Sequence, residues 1–166
     1  MLEAFAKFKQ QQKQKYNGKF EYQLVLAGKR GWLAKEYGQT IKDLGLAKDI
    51  VFTGYVIGDE LVPLFKNAQF FIMPSLYEGF GMTVLEAFAT QTPAILSNVA
   101  SLPEIGMDSA HFINPLNTAE IVDAMNKMAE DEALRNNYRQ KGLIQAKKFD
   151  WNETAKKTLD IYKSLK

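Results

Sequence analysis

Cysteine is absent from this chain of 166 residues, histidine occurs once, and no apolar run approaches the ~20 residues that a membrane-crossing helix needs. The first absence removes disulfides and thiolate metal sites, and fits a reducing compartment. The opening MLEAFAKFKQQQ lacks the apolar centre of a signal peptide, so a cytoplasmic domain is expected. Net charge is also small: the formal value of +2 makes no general case for nucleic acid. The lysines are dispersed except for Lys7, Lys9, Lys13, Lys15 and Lys19, which read as a solvated helix face. The lone His111 has no acidic or cysteine neighbour in sequence and is not a metal site; a structural role is expected. What the chain does have is apolar material, 46% hydrophobic with 12% aromatic, enough for the core of a single domain spanning 1–166.

That material is arranged in alternation. Residues 2–16 read as a helix, with Leu2, Phe5 and Phe8 at helical spacing and Asn17-Gly18 as the stop. Strands are expected over Phe20 to Ala27, Ile50 to Thr53, Gln69 to Pro74, Ala94 to Ser97 and Ala110 to Ile113. Helical patterns lie between them: Gly31 to Leu44, Asp59 to Asn67, Gly81 to Thr90, a short turn near Leu102 to Ile105, and Thr118 to Glu130. Strands alternating with helices imply an α/β domain, a Rossmann-like parallel sheet flanked by helices with right-handed crossovers. Two further helices, Ala133 to Phe149 and Asn152 to Leu165, are separated at Asp150, which with Glu153 resembles a capping box. Pro74, Pro93 and Pro103 punctuate element ends, and Trp32 and Trp151 read as packing anchors.

The densest local signal is Ser75-Leu76-Tyr77-Glu78-Gly79-Phe80-Gly81-Met82-Thr83-Val84-Leu85-Glu86-Ala87. It joins an apolar strand to a helix through two glycines. Ligands of open α/β sheets bind at such turns. Gly79 and Gly81 let the backbone turn without a Cβ in the way, so amides at the helix start can face an anion such as a diphosphate. Glu78 and Glu86 then offer acceptors for sugar and ribose hydroxyls. A plainer reading exists for each: Glu78 as a solvated loop carboxylate, and Glu86 on a polar face beside Thr83 and Thr90, where the helix dipole favours an acid by ~0.3–1 kcal/mol.

The Glu-x7-Glu within SLYEGFGMTVLEA, followed by TPAILSNVASLPEI, resembles the donor-binding half of retaining GT-B glycosyltransferases of family 4. The likeness extends upstream through LVLAGKRGW, LGLAKDIVFTGYV and ELVPLFKNA, and downstream through ALRNNYRQKGLIQAKKFDWNETAKKTLDIY. It implies the C-terminal half of a GT-B fold, whose substrate is a nucleoside diphosphate sugar and whose parent enzyme transfers a hexose, with retention, to a saccharide or lipid acceptor. By the resemblance, Glu86 accepts from the ribose hydroxyls, and Glu78 faces the transferred sugar, binding a hydroxyl or stabilising positive charge at the anomeric carbon. Gly79, Phe80, Gly81, Met82 and Thr83 act through backbone amides at the sugar and distal phosphate. Tyr55 and Val56 match the loop bordering the base, although an aromatic at a strand end is commonly core.

The resemblance also implies what the donor does without. No metal or other cofactor is expected, because helix N-termini and basic residues neutralise the diphosphate, and the chain has no Asp-x-Asp motif. Family domains open with a strand and a loop whose Arg and Lys hold the diphosphate, preceded by an N-terminal acceptor domain. None of these can be assigned here, so a fragment of a longer enzyme, inactive alone and lacking its first strand, is expected. Lys29 and Arg30 could reach a phosphate in partial place of the missing pair, or be solvated. Acceptor contact, and any membrane contact at the inner face, would come through the missing domain. The competing reading is a stand-alone, non-catalytic nucleotide- or sugar-binding module. A dinucleotide oxidoreductase is disfavoured because Gly79-Phe80-Gly81 lacks the third glycine.

Overall fold

The computed structural model describes residues 1–29 and 34–165. Arg30 and Trp32 lie outside the described residues. The elements run in order α1 (Leu2–Lys15), β1 (Leu24–Ala27), α2 (Ala34–Asp43), β2 (Ile50–Gly54), a 3-10 turn (Gly58–Glu60), α3 (Leu61–Lys66), β3 (Phe71–Met73) and α4 (Met82–Ala89). Then follow β4 (Ala94–Ser97), α5 (Leu102–Gly106), β5 (His111–Ile113), α6 (Thr118–Glu130), α7 (Glu132–Ala146) and α8 (Trp151–Ser164). Among the described residues all strand pairings are parallel, as the alternation implies.

The pairings form two sheets, β1-β2 and β3-β4-β5. Strand alternation separates two apolar layers around the larger one. Ile72, Ile95 and Ile113 enter a core built with α1 and α6, whereas Phe71, Met73, Ala94, Leu96 and Phe112 meet α4 and α5 on the other face. Leu24, Leu26 and Ile50 of the smaller sheet join the first of these cores. One core therefore spans both sheets, yet among the described residues no backbone hydrogen bond joins them. The amides of Leu24 and Gly28 donate to Asp49 O and Gly54 O on the β2 side, and that of Phe71 donates to Pro93 O on the β4 side. Alternate residues of a strand point opposite ways, so Val25, Ala27 and Ile72 direct their backbone groups to the unpaired edges of β1 and β3.

α1 forms because Ala4, Phe5, Phe8 and Gln12 fall on one buried stripe. It stops where Asn17 turns to φ 52° and the Gly18 amide returns to Lys13 O at 2.7 Å. The strand expected from Phe20 begins only at Leu24. Phe20 and Tyr22 instead stack with Phe5 and Phe8 at centroid distances of 5.2–5.8 Å, so packing against α1 rather than strand pairing satisfies their alternation.

The N-terminal lysines are only partly a solvated face. Lys9 pairs with Asp49 at 2.6 Å, and Lys15 with Glu130 at 2.6 Å. Between them Gln12, buried, donates to Asn126 Oδ1 and Glu130 Oε1, fastening α1 to α6. α7 reaches α4 through Gly142, where a Cβ would come within 2.8 Å of Phe88 Cδ1. Buried Arg135 donates through Nη1 to Met128 O and Ala129 O, satisfying carbonyls at the end of α6. Asp150 caps α8 by accepting from the Asn152 amide at 2.9 Å. α8 itself buries nothing, and Trp151 is 74% exposed, so the expected packing anchor has no packing surface among the described residues.

Candidate functional site

Parallel pairing sends the segments after β3 and β4 out at the same, C-terminal end of their sheet. The first is the glycine-bearing loop singled out in the sequence, and the second, Asn98 to Ser101, leads into α5. Gly81 is the residue that makes the first loop possible. It holds φ 106°, a left-handed value that side chains disfavour, and an added Cβ would meet Leu102 Cδ2 at 3.1 Å. Any side chain here would face both backbone strain and contact with a buried leucine.

Two hydroxyls fix the loop. Ser75 Oγ donates to Glu78 Oε1 at 2.8 Å, orienting the half-buried carboxylate. Ser101 Oγ lies 3.0 Å from Glu78 O and 2.9 Å from Phe80 O and donates to this pair of carbonyls. Neither serine stands out from the sequence as a functional residue. Ser75, three residues before Glu78, is legible as a local side-chain contact, whereas Ser101 is brought in from 23 residues away and carries no local signal.

α4 starts at Met82, and the Val84 amide closes back on Gly81 O at 2.9 Å. Among the described residues, the amides of Gly79, Phe80, Gly81, Met82 and Thr83 donate to no protein acceptor. They are a set of donors at the positive end of a helix dipole, the arrangement that accepts an anion. Met82 is exposed and Thr83 half-buried, so neither side chain closes the helix start. Glu86 lies in the second turn, beyond the first-turn region where the dipole stabilises an acid. Its side chain is exposed and, among the described residues, makes no hydrogen bond or ion pair. The Thr90 hydroxyl beside it donates to carbonyls of α4. Phe80, 42% exposed, meets Phe149 edge to face at 5.9 Å, linking the loop to the residues after α7.

The other sequence-designated residues follow the smaller sheet. Lys29 Nζ lies 5.2 Å from the Tyr55 ring centroid, so the segments after β1 and β2 meet through a cation–π contact. Tyr55 is 65% exposed and therefore not the core aromatic that its strand-end position could have made it; Val56 is half-buried. Arg30 lies outside the described residues. His111 heads β5, half-buried against Tyr138, with burial first and the Lys127 charge second lowering its pKa. Among the described residues no group of three or more His, Cys, Asp or Glu side chains could hold a metal ion, and no helix is long and apolar enough to cross a membrane.

Comparison with known proteins fits this geometry. The chain is 34% identical over 147 residues to the O-antigen chain mannosyltransferase B of Escherichia coli, covering 89% of itself and 39% of that protein. It thus spans about two fifths of the relative it matches. The fold is shared with a sucrose-phosphate synthase from Thermosynechococcus elongatus, with a TM-score of 0.83 at 21% identity over 99% of this chain and 42% of that one. It is shared too with HepE of Anabaena, solved with UDP and glucose, with a TM-score of 0.81 at 19% identity over 98% and 43% of the two chains. Residues 1–145 match the family described as glycosyl transferases group 1, and with that match covering most of its length the chain belongs to this family.

Proposed function

We propose that the chain is the donor-binding, C-terminal half of a two-domain GT-B transferase. Its parent enzyme moves a hexose from a nucleoside diphosphate sugar to a saccharide or lipid acceptor with retention of anomeric configuration. The carrying observation is the loop from Ser75 to Gly81: a carboxylate oriented by a serine beside consecutive unpaired amides at a helix start. An oriented carboxylate suits a sugar hydroxyl or a cationic anomeric carbon, and the amides suit the distal phosphate. Gly79, Phe80, Gly81, Met82 and Thr83 supply those amides. Glu86, exposed and without a protein partner among the described residues, is available to ribose hydroxyls. On this reading Tyr55 and Val56 border the base and Lys29 serves the diphosphate; Arg30, given the same role by the resemblance, lies outside the described residues.

The relatives support a hexose donor, since one is named as a mannosyltransferase, and a solved chain of the same fold carries UDP and glucose. The unpaired edges of β1 and β3 over one shared core support a domain that takes a further parallel strand in the longer enzyme. Acceptor binding belongs on this reading to the other half, and a cysteine-free chain suits cytoplasmic work.

The test is binding by residues 1–166. Titration with UDP, GDP and ADP sugars, followed by amide chemical shifts, should move Gly79 to Thr83 with one base preferred. Affinity is expected to be millimolar, because the family's Arg and Lys pair has no counterpart here and a hydrogen bond from such a charged group contributes about 1.5–3 kcal/mol. Unmoved amides at saturating concentrations of all three would overturn the assignment.

A further inference from the structure

Ser101 occupies the N-cap of α5, where a serine ordinarily turns its oxygen on the amides of its own helix. It does not do so here: its side chain makes no capping bond and is directed instead to the carbonyls of Glu78 and Phe80. The residue before it, Ala100, sits at φ 54°, a left-handed conformation costly for a side chain with a Cβ. The residue after it, Leu102, is fully buried and lies against the space a Cβ would take on Gly81. With Ser101 already helical at φ −76°, its hydroxyl is free of its own helix, and this hydroxyl and a close leucine–glycine approach fall on adjacent residues, both directed at one loop.

Peptide geometry says what the hydroxyl accomplishes. The peptide bonds are trans, so each carbonyl and the amide that follows it point in opposite directions. Drawing Glu78 O and Phe80 O towards Ser101 turns the Gly79 and Gly81 amides away from it, onto the opposite side of the loop. Glycine has no side chain to restrict these peptide planes, and without the hydroxyl both could rotate. We propose that Ser101 is a positioning residue which, by holding the carbonyls of Glu78 and Phe80, aims the Gly79 and Gly81 amides together at the phosphate-sugar end of the donor. This rests on the donor-binding reading above and adds to it a residue outside the Glu-x7-Glu segment. It also couples the β4–α5 connection to the site, since a shift of Ser101 moves both amides at once.

The inference is tested on residues 1–166 with Ser101→Ala and Ser101→Thr. The first readout needs no ligand: backbone order parameters at Gly79 and Gly81 should fall in Ser101→Ala from the rigid value of about 0.85 towards about 0.6. Threonine keeps the hydroxyl and should restore them. The second is affinity for UDP and GDP, expected to drop roughly tenfold in Ser101→Ala, about 1.4 kcal/mol, and to recover in Ser101→Thr. A merely structural serine would lower the melting temperature and leave order parameters and affinity at their wild-type values, and that result overturns the proposal. If the wild-type chain binds neither of these nor ADP, the donor reading fails, and the ligand-free order parameters still decide whether Ser101 aims the loop.

Discussion

β1 and β4 are four-residue strands of similar apolar content, Leu-Val-Leu-Ala and Ala-Ile-Leu-Ser, and they end in opposite environments. β4 lies between β3 and β5 with apolar layers on both faces, and every one of its residues is buried. β1 has β2 on one edge, and it buries Leu24 while leaving Val25 42% exposed. In β2, Val51 and Phe52 are exposed as well. Burial is thus set by what flanks a strand rather than by what it is made of. The difference extends to the site. The loop carrying Glu78 is fixed by Ser75 and Ser101 at the end of the closed sheet, whereas Lys29 and Tyr55 are exposed at the end of the open one. On the donor reading, the Glu78 loop at the sugar and distal phosphate is preformed, and the Lys29–Tyr55 side, at the diphosphate and base, adapts.

Hydrogen exchange offers the largest effect by which to break this comparison. Leu24 and Gly28 are hydrogen-bonded to the β2 side, but a two-stranded sheet with one solvated face can open without unfolding the rest. Amides of β4, flanked by a strand on each edge, should exchange only through global opening, at least about 10³-fold more slowly than those of Leu24 and Gly28, a gap of about 4 kcal/mol. The same experiment should find α8 less protected than α6, which buries Ile121, Val122, Ala124, Met125, Met128 and Ala129 where α8 buries none. Equal protection in the two sheets would mean that their shared core makes one cooperative unit.

A substitution sharpens it from the closed side. Gly142→Ala places a methyl 2.8 Å from Phe88 Cδ1 and 3.2 Å from its Cγ, in a ring that is fully buried. The gain in helix propensity, at most about 1 kcal/mol, is outweighed by overpacking of typically 1–3 kcal/mol. A net loss should appear as a melting temperature lowered by a few degrees, with amide shifts concentrated on α4 and the loop preceding it. A variant as stable as the parent, with an unperturbed α4, would show that α7 slides without cost.

How much of this was legible depends on how local the cause is. β4 and α6 fall at their expected bounds, Ala94–Ser97 and Thr118–Glu130, because an uninterrupted apolar run and a helical stripe with Asn117 before it are local patterns. The strand from Phe20 failed because the aromatic face of α1 took Phe20 and Tyr22 into its own cluster, away from any strand partner. Gln12 reads as part of a polar run, and only the approach of α6 makes it a buried link to Asn126 and Glu130. Glu78, Glu86 and the glycines stood out from spacing and family likeness. The two serines that fix the loop did not, since serine at a loop or helix start has several ordinary uses. The unjoined sheets were likewise illegible: apolar strands record that they will be buried, not which neighbour is beside them.

The smallest expected effect concerns His111, on the outer strand of the closed sheet. Burial is the main cause that lowers its pKa below the ordinary 6.5, with Lys127 adding to it and Asp123 and Glu120 opposing. Those three groups lie on α6, and Tyr138 of α7 meets the ring at 6.4 Å. A depressed folded-state pKa means that the unfolded chain binds the proton more readily. The stability contribution of the neutral ring is therefore complete above pH about 6.5 and is lost as pH falls through the folded value. Asp108 and Glu130, held low by Lys141 and Lys15, lose stability in the same direction, but only from the carboxylate range downward. Denaturant titrations between pH about 7 and 5 should show the parent losing stability with acid while His111→Gln, which cannot titrate, keeps a flatter profile. Parallel profiles would mean that β5 opens to water at this position, and that the closed sheet is closed only as far as β4.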